Sequence, residues 1–395
     1  MEPKIRFKGF EGEWKAPLFS EMVERISASG QAGMLPGVEF EDIASGEGCF
    51  NKNIYQKECH KYGKLFYEGD ILFGKLRPYL KNIILADFNG VAIGDFWVLR
   101  SKGLDEKYLY TLVNSESFLK VANISSGSKM PRADWNLVST TKFVVPSAKD
   151  EQKAIGKYFT SLDSQISAST SRLTSLKQMK AASLQAMFPQ KGETVPKIRF
   201  KGFEGEWKKV KLGDIAKFTK GQGYSKSDLK ETGQPIILYG RMYTKYQFVI
   251  DEVDTFANLK DASILSEGDE IIMPASGETP EDIACASAVL AKDIILGGDL
   301  NIMHFDLTKI STPYIALVIT YSKTHHDLSK CAQGKSVVHL HNGAISRATI
   351  SLPSLAEQQA IASYFTSLDR QISLQSQRLE KLKQIKSACL DKMFV

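Results

Sequence analysis

EQKAIGKYFTSLDSQISASTSRLTSLKQMKAASLQAMF fills residues 151–188, and EQQAIASYFTSLDRQISLQSQRLEKLKQIKSACLDKMF fills residues 357–394. The offset is 206, and 23 of the 38 positions are identical. Internal repetition decides architecture before any single residue does. Apolar residues in each copy recur at alternating spacings of four and three. Ile155, Phe159, Leu162, Ile166, Leu173 and Leu176 in the first copy correspond to Ile361, Phe365, Leu368, Ile372, Leu379 and Leu382 in the second. That is the heptad seam of a coiled coil. Polar interruptions fall at matching places, Ser169 with Gln375 and Lys180 with Lys386. Polar seam positions set register and partner choice.

A 38-residue helix is about 57 Å long at about 1.5 Å per residue. With one apolar stripe it needs a cover. Its matching seam makes the other copy the expected cover, in place of each helix packing only on its own domain. Pro146-Ser147 and Pro353-Ser354 lead into Asp150, Glu151 and Glu357, acidic residues suited to the positive end of the helix dipole. Phe188-Pro189-Gln190-Lys191-Gly192 marks a break after the first helix.

A second repeat precedes each half. PKIRFKGFEGEWK runs from Pro3 to Lys15 and returns unchanged from Pro196 to Lys208. Its aromatic residues, Phe7, Phe10 and Trp14 with Phe200, Phe203 and Trp207, are expected to anchor packing, since identical sequence is poorly suited to two different ligands. Between tag and helix lie dissimilar blocks, roughly 16–145 and 209–352. Short apolar runs bounded by Gly and Asp, such as Ile71-Leu72-Phe73 and Ile83-Ile84-Leu85, read as strands. Helices are expected over 105–121 and 312–330. Gly69-Asp70-Ile71 parallels Gly268-Asp269-Glu270-Ile271, and Ser125–Lys129 resembles Cys331–Ser336. Each block is large enough for its own core. The predicted fold class is α+β: two mixed α/β domains with a pseudo-twofold repeat, joined by two long helices that pair as a coiled coil. The predicted segments are 1–145, 146–190, 191–352 and 353–395.

The chain has 395 residues, 43% hydrophobic and 24% charged, with net charge +6. A mildly basic balance permits a polyanionic partner without establishing one. Five scattered cysteines without a CxxC pair argue against a disulfide framework and fit a reducing cytoplasm. The N-terminus lacks the apolar segment of a signal peptide, and no eighteen-residue apolar stretch predicts a membrane span. No GxxxxGK[ST], GxSxG or [DN]PP[YF] motif is present. His325-His326 and His339-Leu340-His341 lack the carboxylates or cysteines that would complete a metal set. No catalytic residue and no metal site is predicted.

Basic and aromatic residues interleave at loop-like places. In the first block these are Lys75, Arg77, Tyr79, Lys81, Lys129 and Arg132. In the second they are Lys220, Tyr224, Lys226, Arg241, Tyr243, Lys245, Lys335 and His341. Any one such stretch is ordinarily a solvated strand edge. As a set they point to a basic concave face on each block, able to meet phosphates or guanine edges.

Two variable domains, each followed by a long helix carrying EQ(x)AI and YFTSLD(x)QI, resemble the specificity subunit of Type I restriction-modification systems. The PKIRFKGFEGEW tags and GDILFGKLRPYLKNIILADFNG (residues 69–90) add to the resemblance. It implies a non-catalytic DNA-binding chain in the cytoplasm. Each variable domain would read one half of a bipartite double-stranded target. The two helices would form an antiparallel coiled coil that sets the unread gap and docks two modification subunits, with restriction subunits joining. S-adenosylmethionine, and ATP with Mg, would then belong to the partner subunits, with no cofactor on this chain. The rival expectation is a two-domain protein-binding scaffold without DNA contact.

Overall fold

The structure is a computed structural model that describes residues 3–33, 35–124, 130–190, 192–334 and 337–394. It divides into two compact units, Met1–Leu173 with Gln375–Val395, and Thr174–Leu374.

In the first unit a four-stranded antiparallel sheet has the order Val23–Ile26, Phe96–Ser101, Ile71–Gly74, Ile83–Leu85. A second sheet orders Ser29–Gln31, Tyr62–Phe66, Gly90–Ala92 and Gly37–Val38, its last pair parallel. Successive side chains of a strand point to opposite faces. Leu72, Ile84 and Val98 therefore join Val38, Phe66 and Ala92 in one core. Ile71, Phe73, Ile83, Trp97 and Leu99 join a second core under the helices.

The second unit repeats the plan. Its main sheet orders Ala216–Lys220, Leu300–Phe305, Glu270–Pro274, Ser287–Val289 and Val249–Ile250. Ile272 and Ile302 face one core, and Ile271, Met273 and Met303 the other. The expected match at Gly69 and Gly268 is present: both have φ near +90°, at 88° and 87°. The Asp70 carboxylate accepts from the Tyr67 amide at 2.8 Å, and Glu270 accepts from the Glu267 amide at 2.6 Å. Asp269, at φ 67°, is the extra residue in the second turn.

The single helices expected over 105–121 and 312–330 are each two. Glu106–Val113 and Glu116–Ala122 part at Ser115, whose hydroxyl accepts from the Phe118 amide. Thr312–Tyr321 and Lys323–Ser329 part at Ser322, which caps the second piece. A Ser side chain competes for backbone donors and so favours a cap over a helix interior. The matching loops Ser125–Lys129 and Lys335–Ser336 lie outside the described residues.

The long helices are Lys149–Ala186 and Leu355–Met393. Within each unit they run antiparallel. In the first unit Asp163 meets Lys386 at 2.5 Å, Tyr158 meets Cys389 at 3.5 Å, and Gln375 donates to the Ser169 carbonyl at 3.2 Å. The second repeats two of these: Lys180 meets Asp369 at 2.6 Å and Ser183 meets Tyr364 at 2.9 Å. Lys180 and Lys386 are therefore seam cations, each answered by an aspartate of the other helix. The seam also packs on the domains. Ile155, Phe159 and Leu162 enter the first unit's core, and Leu176, Ile361, Phe365 and Leu368 the second's. Ile372 and Leu382 lie at the edges of those cores, while Ile166, Leu173 and Leu379 are half-buried.

The duplicated tag is a clamp. Arg6 donates to both Glu151 oxygens at 2.6 and 2.8 Å, and Arg199 does the same to Glu357. Each guanidinium also reaches two tag carbonyls, those of Gly12 and Glu11, or Gly205 and Glu204. Those glycines sit at φ 92° and 81°, where a side chain would be strained. Trp14 and Trp207 are buried, Phe7 packs on Tyr158 and Phe200 on Tyr364, while Phe10 and Phe203 are half-buried.

Candidate nucleic-acid interface

In the first unit the central strand Ile71–Gly74 runs into a turn that gathers most of the basic candidates. Arg77 (φ 50°, ψ 63°) and Lys81 (φ 52°, ψ 45°) bracket a 3-10 turn over Pro78–Leu80. Both are left-handed, a conformation that costs a non-glycine residue on the order of 1–3 kcal/mol. Hydrogen bonds hold it. The Arg77 amide donates to the Pro131 carbonyl at 2.8 Å, Leu80 to Arg77 at 2.9 Å, and Lys81 to Pro78 at 2.9 Å. Leu76 bridges Arg132 in antiparallel fashion, which brings Arg132 beside the turn.

Charge at this turn is unevenly satisfied. Asp95 takes Lys75 at 3.3 Å and Arg132 at 3.0 Å. Burial pushes the Asp95 carboxyl up, but hydrogen bonds from Arg132 and Lys75 outweigh it and leave the pKa lowered. Lys81 lies 3.6 Å from Glu116. Arg77 and Tyr79 are exposed, and no described residue forms an ion pair with Arg77. Lys129 lies outside the described residues.

In the second unit a cleft of about 1110 Å³ collects Tyr224, Lys226, Arg241, Tyr243 and Lys245. Asp254 accepts from Arg241 and from Lys245, each at 2.5 Å, and these bonds hold its carboxyl well below the usual range. Tyr243 donates to the Ser276 carbonyl. Burial pushes its phenol well up, reinforced by Cys285, Tyr239, Asp282 and Asp299. Tyr224, at φ 58°, donates to the Asn258 carbonyl at 3.1 Å, and its ring lies 4.4 Å from the Lys260 ammonium.

Lys220 and His341 are not brought into this cleft. Lys220 ends the strand Ala216–Lys220 opposite Asn301. His341 precedes the helix Asn342–Arg347 and stacks on His339 at 6.1 Å. Lys335 lies outside the described residues. The cleft is mixed in charge. Asp254, Glu278, Asp282 and Asp299 line it against Lys226, Arg241 and Lys245. The acidic residues come from segments the basic-residue reading passed over. Asp95 and Asp254 were missed for the same reason: one carboxylate among strands carries no local signal. The run Glu278-Thr279-Pro280-Glu281-Asp282 was visible in the sequence as an acidic stretch directly after an apolar strand.

Comparison with known proteins adds relatives and fold. Residues 204–384 match the Type I restriction modification DNA specificity domain. The chain is 22% identical over 305 residues to the Type I restriction enzyme MjaVIII specificity subunit of Methanocaldococcus jannaschii, covering 74% of this chain and 70% of that protein. It is 24% identical over 120 residues to the Type I restriction enzyme EcoDI specificity subunit of Escherichia coli, covering 29% and 27%. In fold it is similar to the crystal structure of the Type-I restriction-modification system S subunit from M. genitalium. The TM-score is 0.66 at 14% identity, over 100% of this chain and 99% of that one.

Proposed function

We propose that this chain is a Type I restriction-modification specificity subunit and serves DNA-recognition specificity. Each unit reads one half of a bipartite double-stranded target, and the paired helices set the unread gap. One observation carries the reading. The two units share a sheet order, a helix pairing and an Arg–Glu clamp, yet differ in the residues around their central turns. A common frame with unlike reading edges is what two different half-sites require.

The helices are also the surface on which two modification subunits dock, with restriction subunits joining them. Adenine methylation, with S-adenosylmethionine, and ATP-driven restriction with Mg then belong to those partners. This chain's work is non-catalytic: it orients the partners on DNA. Among the described residues no helix is long and apolar enough to cross a membrane, and a cytoplasmic chain is in keeping with this work.

Half-sites on one face of DNA lie about one helical turn, roughly 34 Å, apart. Helix length therefore controls the gap. Seven residues inserted after Ser169, with seven at the matching place after Gln375, preserve the heptads. Single-molecule sequencing of methylated adenines in cells is expected to show the same half-sites with a changed gap. An unchanged gap overturns the spacer role. A protein-binding scaffold instead predicts no salt-dependent DNA binding in fluorescence anisotropy, whereas phosphate contacts make affinity fall steeply with salt.

A further inference from the structure

The turn after the central strand holds the same place in both units and is charged oppositely. In the first unit Ile71–Gly74 leads to a proline-headed turn, Pro78–Leu80, and then to Ile83–Leu85, the next strand of the sheet. In the second Glu270–Pro274 leads to a proline-headed turn, Pro280–Ile283, and then to Ser287–Val289. Both are stitched to a later segment in the same antiparallel way, Leu76 to Arg132 in one and Ser276 to His339 in the other. The first turn carries Lys75, Arg77 and Lys81; the second carries Glu278, Glu281 and Asp282.

A surface that holds the phosphate backbone must be basic wherever it is used, because every phosphate carries the same charge. Base edges differ. Guanine offers two acceptors in the major groove, while cytosine offers an amino donor. An edge that keeps its place in the sheet and reverses its charge is therefore suited to bases, not to phosphates. We propose that the Arg77 turn is a base-reading edge of the first unit, and that Arg77 itself selects a guanine. This rests on the DNA-recognition reading above and specifies one residue's part in it.

Three features single out Arg77. Lys75 and Arg132 are engaged by Asp95, and Lys81 faces Glu116, so those cations are partly neutralised. Arg77 is exposed and has no ion pair among the described residues. Its left-handed backbone is held by bonds to Pro131 and from Leu80, which fixes where the guanidinium starts. A preset donor fork is what bidentate recognition of guanine needs. Lys75, Arg132 and Asp95 are positioning residues that brace the turn.

The test uses the full chain, alone and assembled with its modification subunit, against a pool of random DNA duplexes, with sequencing of the bound fraction. Arg77→Gly suits the backbone, because glycine adopts φ 50° freely, and a circular dichroism melt checks that the unit still folds. Arg77→Lys keeps the charge and removes the fork. Both variants are expected to relax preference at one base pair of one half-site by about tenfold to a hundredfold. The other half-site and the salt dependence should hold. Uniform weakening across all sequences with a shallower salt slope identifies a phosphate contact and overturns the proposal, as does unchanged preference or full activity of Arg77→Lys. A wild-type chain that enriches no sequence in either form refutes the DNA-recognition reading itself, and the proposal with it.

Discussion

Arg6→Ala tests whether the duplicated tag is a structural clamp. The Glu151 side chain is 2% exposed and receives two hydrogen bonds from Arg6, at 2.6 and 2.8 Å. Removing the guanidinium strands a buried carboxylate. Breaking a buried ion pair from one side costs about 3–5 kcal/mol, far more than a surface pair. The two tag carbonyls that Arg6 also contacts are exposed, so water replaces those bonds at little cost. Native domains are stable by only about 5–15 kcal/mol. For a unit of this size the melting transition moves about 2–4 °C per kcal/mol, so the expected fall is roughly 6–20 °C. Scanning calorimetry of the full chain reads it. Replacing Glu151 by Ala as well removes the stranded charge, and the double variant should be less damaged than the sum of the singles by about 1 kcal/mol or more. Arg199→Ala should act in the same way on the unit holding Glu357. A fall under about 2 °C, or strictly additive singles, refutes the clamp.

Other substitutions probe the rest of the molecule. Phe394 is buried, stacks on Tyr108 and packs on Phe159; Phe394→Ala should destabilise by about 3–5 kcal/mol in urea denaturation, and an unchanged midpoint contradicts its place in that core. Arg241 and Lys245 share Asp254, but their side chains are 8% and 55% exposed. Lys245→Ala should change stability by under about 1 kcal/mol and Arg241→Ala by about 2 kcal/mol or more, and equal effects refute the burial argument. Burial raises the Glu270 carboxyl pKa, only partly offset by hydrogen bonds from the Glu267 and Glu270 amides and by His304; one Glu270 oxygen has no partner among the described residues. A carboxyl raised on folding penalises the folded state when ionised, and the penalty fades as pH falls through the folded value toward 4.5. The melting temperature of Glu270→Gln relative to wild type should therefore be higher at pH 7.5 than at pH 5, and a difference independent of pH rules this out.

Much of the architecture was legible because it is written in local periodicity. The heptads from Ile155 to Leu176 and from Ile361 to Leu382 require no knowledge of distant contacts, and apolar runs such as Ile71-Leu72-Phe73 alternate between two cores as strand geometry demands. The broken helices at Ser115 and Ser322 were not legible, because a serine in a helical pattern becomes a cap only when the chain around it turns. Basic candidates were found by residue type, but type alone did not say which charges are already answered.

Those answers come from far along the chain. Asp95 reaches Arg132 across 37 residues, Glu151 reaches Arg6 across 145, and Asp369 reaches Lys180 across 189. The sequence by itself determined the twofold plan, the long helices and the absence of familiar catalytic motifs. Only the tertiary structure decided that the tag is a clamp, that the seam lysines face aspartates, and that Arg77 stands without an ion pair among the described residues. Periodicity is set by near neighbours, whereas the electrostatic state of a side chain depends on which distant group folding brings within a few ångströms of it.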